Sequence, residues 1–268
     1  MRLPREERVG GERSPKKALS SSPTLPAPAL SSYSRTGDRQ AATARAPSRA
    51  ASGSAGIGCP ITLVLYDNPR SSNALKARFC LAECGLAAEL RTVPFDQPRP
   101  DWYLAVNPLG GIPTLDDGGF VLSESNAILR YLAVREGRND LYPTEPRQRA
   151  RVEMMLDRWS STFRPAFFRH EAAALGFAAG KGMGGAPPDP DTAGRIATEL
   201  GPTLALLDSI VDADGTALGS FSLADIAAAP ILYRTRHTGL DLSGYPNLER
   251  WRDTVVSRPS FTAADPVV

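Results

Sequence analysis

Residues 61–66, ITLVLY, form a nearly continuous apolar run closed by the turn residues Asp67, Asn68 and Pro69. A run of this length without alternation predicts a buried strand. Over residues 73–86 the apolar positions Leu75, Phe79, Ala82 and Leu86 recur at helical spacing, and Gly85 is placed to end that helix. A short strand is expected over 89–93, followed by the Pro-rich loop PFDQPRP. The segment from Asn107 to Ser125, NPLGGIPTLDDGGFVLSES, reads as a hairpin with strands PTL and FVL about the turn DDGG. Ser123 is the expected N-cap of a helix running to about Arg135, with Glu124 in its first turn. Strand, helix, strand, hairpin and helix together predict a small mixed sheet with helices packed on it.

Beyond the linker EGRNDLYPTEPRQ the pattern is helical only, with helices expected over 150–168, 192–211, 222–235 and 248–256. The stretch GKGMGGAPPDPD breaks the first from the second, and SLAD at 222–225 resembles a capping box with Asp225 in place of Glu or Gln. No internal repeat is present. Residues 1–58, rich in Ser, Pro, Ala and Arg, show no sustained periodicity, and this composition predicts disorder. A transit peptide is one reading of this extension; Glu6, Glu7 and Glu12 count against it, because transit peptides avoid acids. An extension upstream of the true start is the other, although no methionine lies between Met1 and Met154.

Charge sharpens the division. Residues 1–58 carry ten Arg/Lys and four acids, a net of +6, which leaves 21 bases and 25 acids, a net of −4, for the rest. A slightly acidic body argues against a nucleic-acid surface. No apolar run approaches the roughly 20 residues that cross a bilayer, and the N-terminus lacks the apolar core of a secretory signal. Cys59, Cys80 and Cys84 form no C-x-x-C or zinc-type pattern, so a reducing cytoplasm is expected. Cys80 and Cys84, four apart on the first helix, read as small core residues. His170 and His237, far apart, belong to no metal or triad motif.

The chemistry is concentrated where the first strand hands over to the first helix, at Ser71, Ser72 and Asn73, and where the hairpin hands over to the next helix, at Glu124 and Ser125. Each polar group has an ordinary capping role there. A helix N-terminus is also a natural anion site, since its free N–H groups and positive dipole end favour a carboxylate.

Several motifs, in order over about residues 61–260, resemble the glutathione S-transferase family. LYDNPRSSNALKARFCLAECGL resembles the first strand and helix of bacterial serine-type members. NPLGGIPTL resembles the loop NPxGxVPxL, LSESNAILRYLA the start of the glutathione-binding helix, and FSLADI the cap motif of the helical domain. The resemblance implies a thioredoxin-like α/β domain over 59–140, an all-α domain over 146–262 carrying the electrophile site, and a homodimer. It implies no permanent cofactor and no metal, with glutathione as co-substrate.

Residue by residue, the resemblance implies a cis peptide between Ile112 and Pro113, which would free the Ile112 backbone to pair with an extended peptide. Glu124 would face the ammonium of the γ-glutamyl end, and Ser125 its carboxylate. Ser71, five residues after Tyr66, stands at the spacing of the catalytic serine and would hydrogen-bond the glutathione sulfur. Asn73 is the alternative donor. Gly111 departs from the pattern, since many relatives have Lys or Arg there. Of Met155, Trp159, Phe163 and Phe167, a stripe at about helical spacing, one or two are expected to line the electrophile site and the rest to be core.

The resulting expectation is a glutathione transferase that directs the thiolate at a small electrophile. Glutathione-dependent isomerisation or disulfide reduction is the alternative within the family; RSSNA partly resembles the RSSCS of maleylacetoacetate isomerases, with Asn73 in place of the cysteine. A non-catalytic binding module on the same fold is the alternative outside enzymes.

Overall fold

The computed structural model describes residues 63–95, 97–176 and 187–266. The expectations for the extension 1–58, for Cys59, and for most of the break GKGMGGAPPDPD lie outside these residues.

The first strand, β1 (Leu63–Asp67), is buried along its whole length, as its unbroken apolar sequence requires. It pairs in parallel with β2 (Ala88–Thr92) and antiparallel with β3 (Thr114–Asp117), and β3 continues into β4 (Phe120–Ser123). The sheet order is β2-β1-β3-β4. Leu63 and Leu65 point into the main core, whereas Val64 and Tyr66 join Val93 and Tyr103 in a second cluster on the opposite face. The period-two alternation of strand side chains thus distributes one apolar run between two layers.

Helix α1 (Ser72–Glu83) packs on α3 (Ser125–Arg135), and its C-cap Cys84 is followed by Gly85 at φ +67°, a conformation that glycine adopts without Cβ strain. A short helix, α2 (Asp101–Leu104), covers the other face; four residues inside a Pro-rich segment gave no periodic signal. This is a mixed α/β sheet domain of thioredoxin-like form, followed by a region of helices alone.

The helical region contains α4 (Pro146–Arg158), a π-helical turn (Trp159–Phe163), α5 (Arg164–Leu175), α6 (Pro190–Ile210), α7 (Leu223–Thr235), α8 (Pro246–Val256) and α9 (Pro259–Ala263). The expected single helix 150–168 is therefore two helices in line, joined by the π turn. Pro165 supplies the reason: it has no N–H, and its ring clashes with the carbonyl four residues back, so the helix widens ahead of it. Arg164 N–H bonds Trp159 O accordingly.

Helix α7 is buried nearly all round and packs on α1, α4 and α8. Its capping box forms: Ser222 Oγ accepts from Ala224 N–H, and Asp225 accepts from Ser222 N–H at 2.8 Å. Asp225 also accepts from Ala217 N–H and from Trp251 Nε1–H, each at 2.7 Å, which ties three elements to one carboxylate. Among the described residues no helix is long and apolar enough to cross a membrane, and no His/Cys/Asp/Glu group could hold a metal ion.

Candidate functional site

Two adjoining hollows lie at the N-termini of α1 and α3, and the second reaches the α4–α5 helix. One, of about 120 Å³, is lined by Asn73, Asn107, Gly111, Ile112, Pro113 and the turn Ser123–Ser125. The other, of about 320 Å³, shares Asn73, Glu124 and Ser125 and adds Lys76, Asn126, Arg130, Asp157, Ser160 and Arg164. A larger hollow of about 570 Å³ lies between α1 and α9; its walls are mainly apolar, with Leu81, Leu86, Leu90 and Ala263, and it is remote from the polar cluster.

The loop before β3 is held from below. Asn107 Nδ2 donates to Gly111 O at 2.9 Å and to Thr114 Oγ1 at 3.0 Å, and Tyr103 OH donates to the same carbonyl. The Ile112–Pro113 peptide is cis. Ile112 keeps its backbone N–H and C=O free of bonds among the described residues.

At the start of α3 the chain departs from the sequence expectation. Ser123 ends β4 instead of capping the helix, and Glu124 occupies the cap position with φ +69°. Non-glycine residues rarely adopt this conformation, at a cost of about 1–3 kcal/mol, and such outliers cluster at binding and catalytic sites. The consequence is geometric. Glu124 is exposed at the rim, while Ser125, the first residue of α3, lines both hollows at the end of the helix where N–H groups lack intrahelical partners.

Lys76 lies beneath Ser125. It is 2 % exposed, and its Nζ donates to Ser125 Oγ and to Asn126 Oδ1, each at 3.3 Å. Burial, with Arg164 nearby, lowers the Lys76 ammonium from 10.5 to about 7; Glu124 opposes the shift weakly. Because Lys76 donates to Ser125 Oγ, the Ser125 hydroxyl proton is left to point at a ligand. The sequence reading missed Lys76, since a lysine one turn into a helix reads as solvent-facing until the packing of α3 on α1 is known.

Ser71 is the N-cap of α1. Its Oγ accepts from Ala74 N–H at 3.2 Å, and the residue is 6 % exposed. Capping occupies a lone pair, so the hydroxyl proton stays available for donation. Ser71 is not among the residues lining either hollow, whereas Asn73 lines both. Ser72 is buried and accepts from Arg164 Nη2 at 3.3 Å. Met155, Trp159, Phe163 and Phe167 are all core; the same stretch offers the cleft Asp157, Ser160 and Arg164 instead. Cys80 is buried and Cys84 partly so, and neither lines the cleft; His170 is buried and His237 exposed.

Models of the glutathione S-transferase N-terminal and C-terminal domains match residues 70–135 and 190–254. Glutathione S-transferase GstB of Escherichia coli (strain K12) is 31% identical over 205 residues, covering 74% of this chain and 95% of the relative. A maleylacetoacetate isomerase of Rhizobium meliloti is 34% identical over 197 residues, covering 69% and 87%. The crystal structure of the theta class glutathione S-transferase of Xanthomonas axonopodis pv. citri with glutathione bound is similar at a TM-score of 0.65 and 28% identity, covering 77% and 98%. The chain belongs to the glutathione S-transferase family.

Proposed function

We propose that this protein binds glutathione in the cleft between α1 and α3 and joins it, through its sulfur, to a small electrophile. The observation that carries the reading is the order of groups at the start of α3: a buried lysine, Lys76, under Ser125, which a ligand carboxylate would hold in its charged form, and an acid, Glu124, at the rim. A carboxylate over Ser125 and an ammonium against Glu124 is the signature of an α-amino acid end, which is what the γ-glutamyl group presents. The free backbone of Ile112 would pair with the cysteinyl peptide, leaving the sulfur near the N-terminus of α1.

Ser71 would donate to that sulfur, with Asn73 as the second donor. A thiol of pKa about 8.5 is only about 3 % ionised at pH 7. Lowering it by two units takes about 2.7 kcal/mol. A hydrogen bond to a charged group contributes about 1.5–3 kcal/mol and a helix N-terminus about 0.3–1 kcal/mol, so one hydroxyl and the α1 dipole suffice.

Isomerisation through a glutathione adduct is the second reading, favoured by the similarity to the isomerase relative. We place the protein in the cytoplasm as a homodimer. The exposed Phe120, Val121, Val134 and Met154, on β4, α3 and α4, supply apolar area for such an interface.

Calorimetric titration with glutathione, and with the analogue lacking the γ-glutamyl α-carboxylate, tests the binding. Glutathione should bind and the analogue should bind at least about tenfold more weakly; equal affinities would remove the reading. Turnover of a generic aryl halide separates a transferase from a binding module.

A further inference from the structure

Two buried guanidiniums meet at the turn that delivers Ser71. The turn runs from Asn68 to Ser71 and is closed by a hydrogen bond from Ser71 N–H to Asn68 O at 2.8 Å. Its central residues, Pro69 and Arg70, are exposed, and the turn's own hydrogen bond leaves their carbonyls without a partner. Both carbonyls are nevertheless taken. Pro69 O accepts from Arg78 Nη2 at 3.2 Å, and Arg70 O accepts from Arg234 Nη2 at 2.9 Å. The opposite ends of the same two peptides are bonded as well: Arg70 N–H donates to Asn68 Oδ1 at 3.0 Å, and Ser71 N–H to Asn68 O. Asn68 is itself fixed, its Nδ2 donating to Val93 O at 2.8 Å. A peptide unit is a rigid plane. With two successive planes held at both ends, neither is free to tilt, and the backbone enters Ser71 in one direction, at φ −82° and ψ 116°.

The two arginines come from different parts of the fold. Arg78, on α1, is 6 % exposed, with Nη1 on Asp265 O at 3.1 Å and the Asp67 carboxylate 3.7 Å away. Arg234, on α7, is fully buried and lies 3.6 Å from the Glu171 carboxylate of α5. Burying a guanidinium is costly, and a neutral donor would hold a carbonyl with less desolvation. What the charge adds is a stronger bond to the carbonyl. Neither arginine lines the cleft hollows, so each acts on the site through the turn. We propose that Arg78 and Arg234 are positioning residues for sulfur activation, a clamp of two guanidiniums that fixes the turn and, through it, the Ser71 hydroxyl. The proposal rests on the reading of Ser71 as the donor to the glutathione sulfur. A reacting group misplaced by about 1 Å can cost about 100-fold in rate, which is the scale on which such a clamp acts.

Arg234→Lys tests the clamp, since one ammonium keeps a cation beside Glu171 but cannot span Arg70 O as well, as the fork does. In the glutathione complex of the full chain the pH midpoint of thiolate absorbance should rise by about one unit, a tenfold loss of ionisation. With a generic aryl halide kcat/KM should fall about tenfold or more. Affinity for S-methylglutathione, which has no thiolate to stabilise, should stay within about twofold. Hydrogen exchange of the free protein reads the clamp without any ligand: the Ser71 and Ala74 amides should exchange about tenfold faster or more, with the amides of the central strand β1 unchanged. A lowered Tm with the midpoint unmoved overturns the proposal, because the arginine then serves stability alone. So does a midpoint shift accompanied by an equal loss of S-methylglutathione affinity, because the site as a whole has then given way. Arg78→Lys, which gives up Pro69 O, should produce the same shifts and is the deciding variant if Arg234→Lys does not fold. Wild-type protein that never binds S-methylglutathione removes the glutathione reading; the clamp then stands if the exchange rates respond and falls if they do not.

Discussion

Replacing Lys76 with methionine isolates the cost of burying an ammonium under the cleft. The side chain is 2 % exposed, and burial lowers its pKa from 10.5 to about 7 in the folded chain. Between those values the unfolded chain holds one proton more than the folded chain, so the lysine's contribution to stability rises with pH. It is complete above about pH 10.5, falls as the pH drops toward 7, and is fully lost below. The slope approaches about 1.4 kcal/mol per pH unit above pH 7, which gives about 2.3 kcal/mol between pH 7 and 9, and the whole window is worth about 5 kcal/mol. Methionine fills a similar volume without a charge but gives up the bonds to Ser125 and Asn126, worth about 1.5–3 kcal/mol each. Near pH 6 those losses offset the relief, so the two proteins should be of similar stability. Urea unfolding of both at half-unit steps from pH 6 to 9 is the assay, and every other titrating group cancels in the difference. Wild-type protein should gain on Lys76→Met by about 2–3 kcal/mol over pH 7–9. A difference flat to within about 0.5 kcal/mol would refute the idea that Lys76 titrates as a buried group. A ligand carboxylate over Ser125 should also restore the ammonium, so binding of S-methylglutathione at pH 8 should take up a proton, read from the dependence of the calorimetric heat on buffer.

Ser71→Ala should raise the pH midpoint of thiolate absorbance in the glutathione complex, lower kcat/KM by roughly 10- to 100-fold, and cost about 1 kcal/mol of stability through the lost cap. If Asn73→Ala shifts the midpoint while Ser71→Ala leaves it in place, the amide is the donor. Gly111→Lys should fit, because a Cβ there meets only Asn107 Nδ2 at 3.8 Å and the backbone has no positive φ. It should tighten glutathione binding by no more than a few-fold, as an exposed ion pair of about 0.2–1 kcal/mol allows; weaker binding in a titration would contradict the missing-cation argument. Phe120, 52 % exposed on β4, should be an interface residue, and Phe120→Asp should shift the sedimentation coefficient from dimer to monomer; an unchanged coefficient would count against that interface.

Local signals found most of the fold because each needed only a few neighbouring residues. The unbroken run at β1 and the pair Ser222 and Asp225 became the expected elements, and the hairpin formed with a shorter turn than DDGG, since Asp116 and Asp117 pair within β3 and only Gly118 and Gly119 turn. Where a nonlocal contact decides, the sequence was silent or misleading. Ser123 has the chemistry of a cap but stays in the hairpin, paired with Thr114, so the next residue must turn into the helix. Lys76 and Arg164 are separated by 88 positions and look like surface residues in their own helices. Only the meeting of α1, α3 and α5 makes them part of one cleft.

The four-residue repeat of Met155, Trp159, Phe163 and Phe167 has a further consequence. On a helix of 3.6 residues per turn each step of four overshoots by about 40°, so three steps would carry the stripe about 120° around the axis. All four side chains nevertheless face the core. The wider turn at Trp159–Phe163 takes up much of the overshoot and so acts as a phase corrector. The same correction holds the companion register of Ser160 and Arg164 toward the cleft. Pro165, exposed on the helix surface, thereby sets the angle at which half a helix meets the cleft.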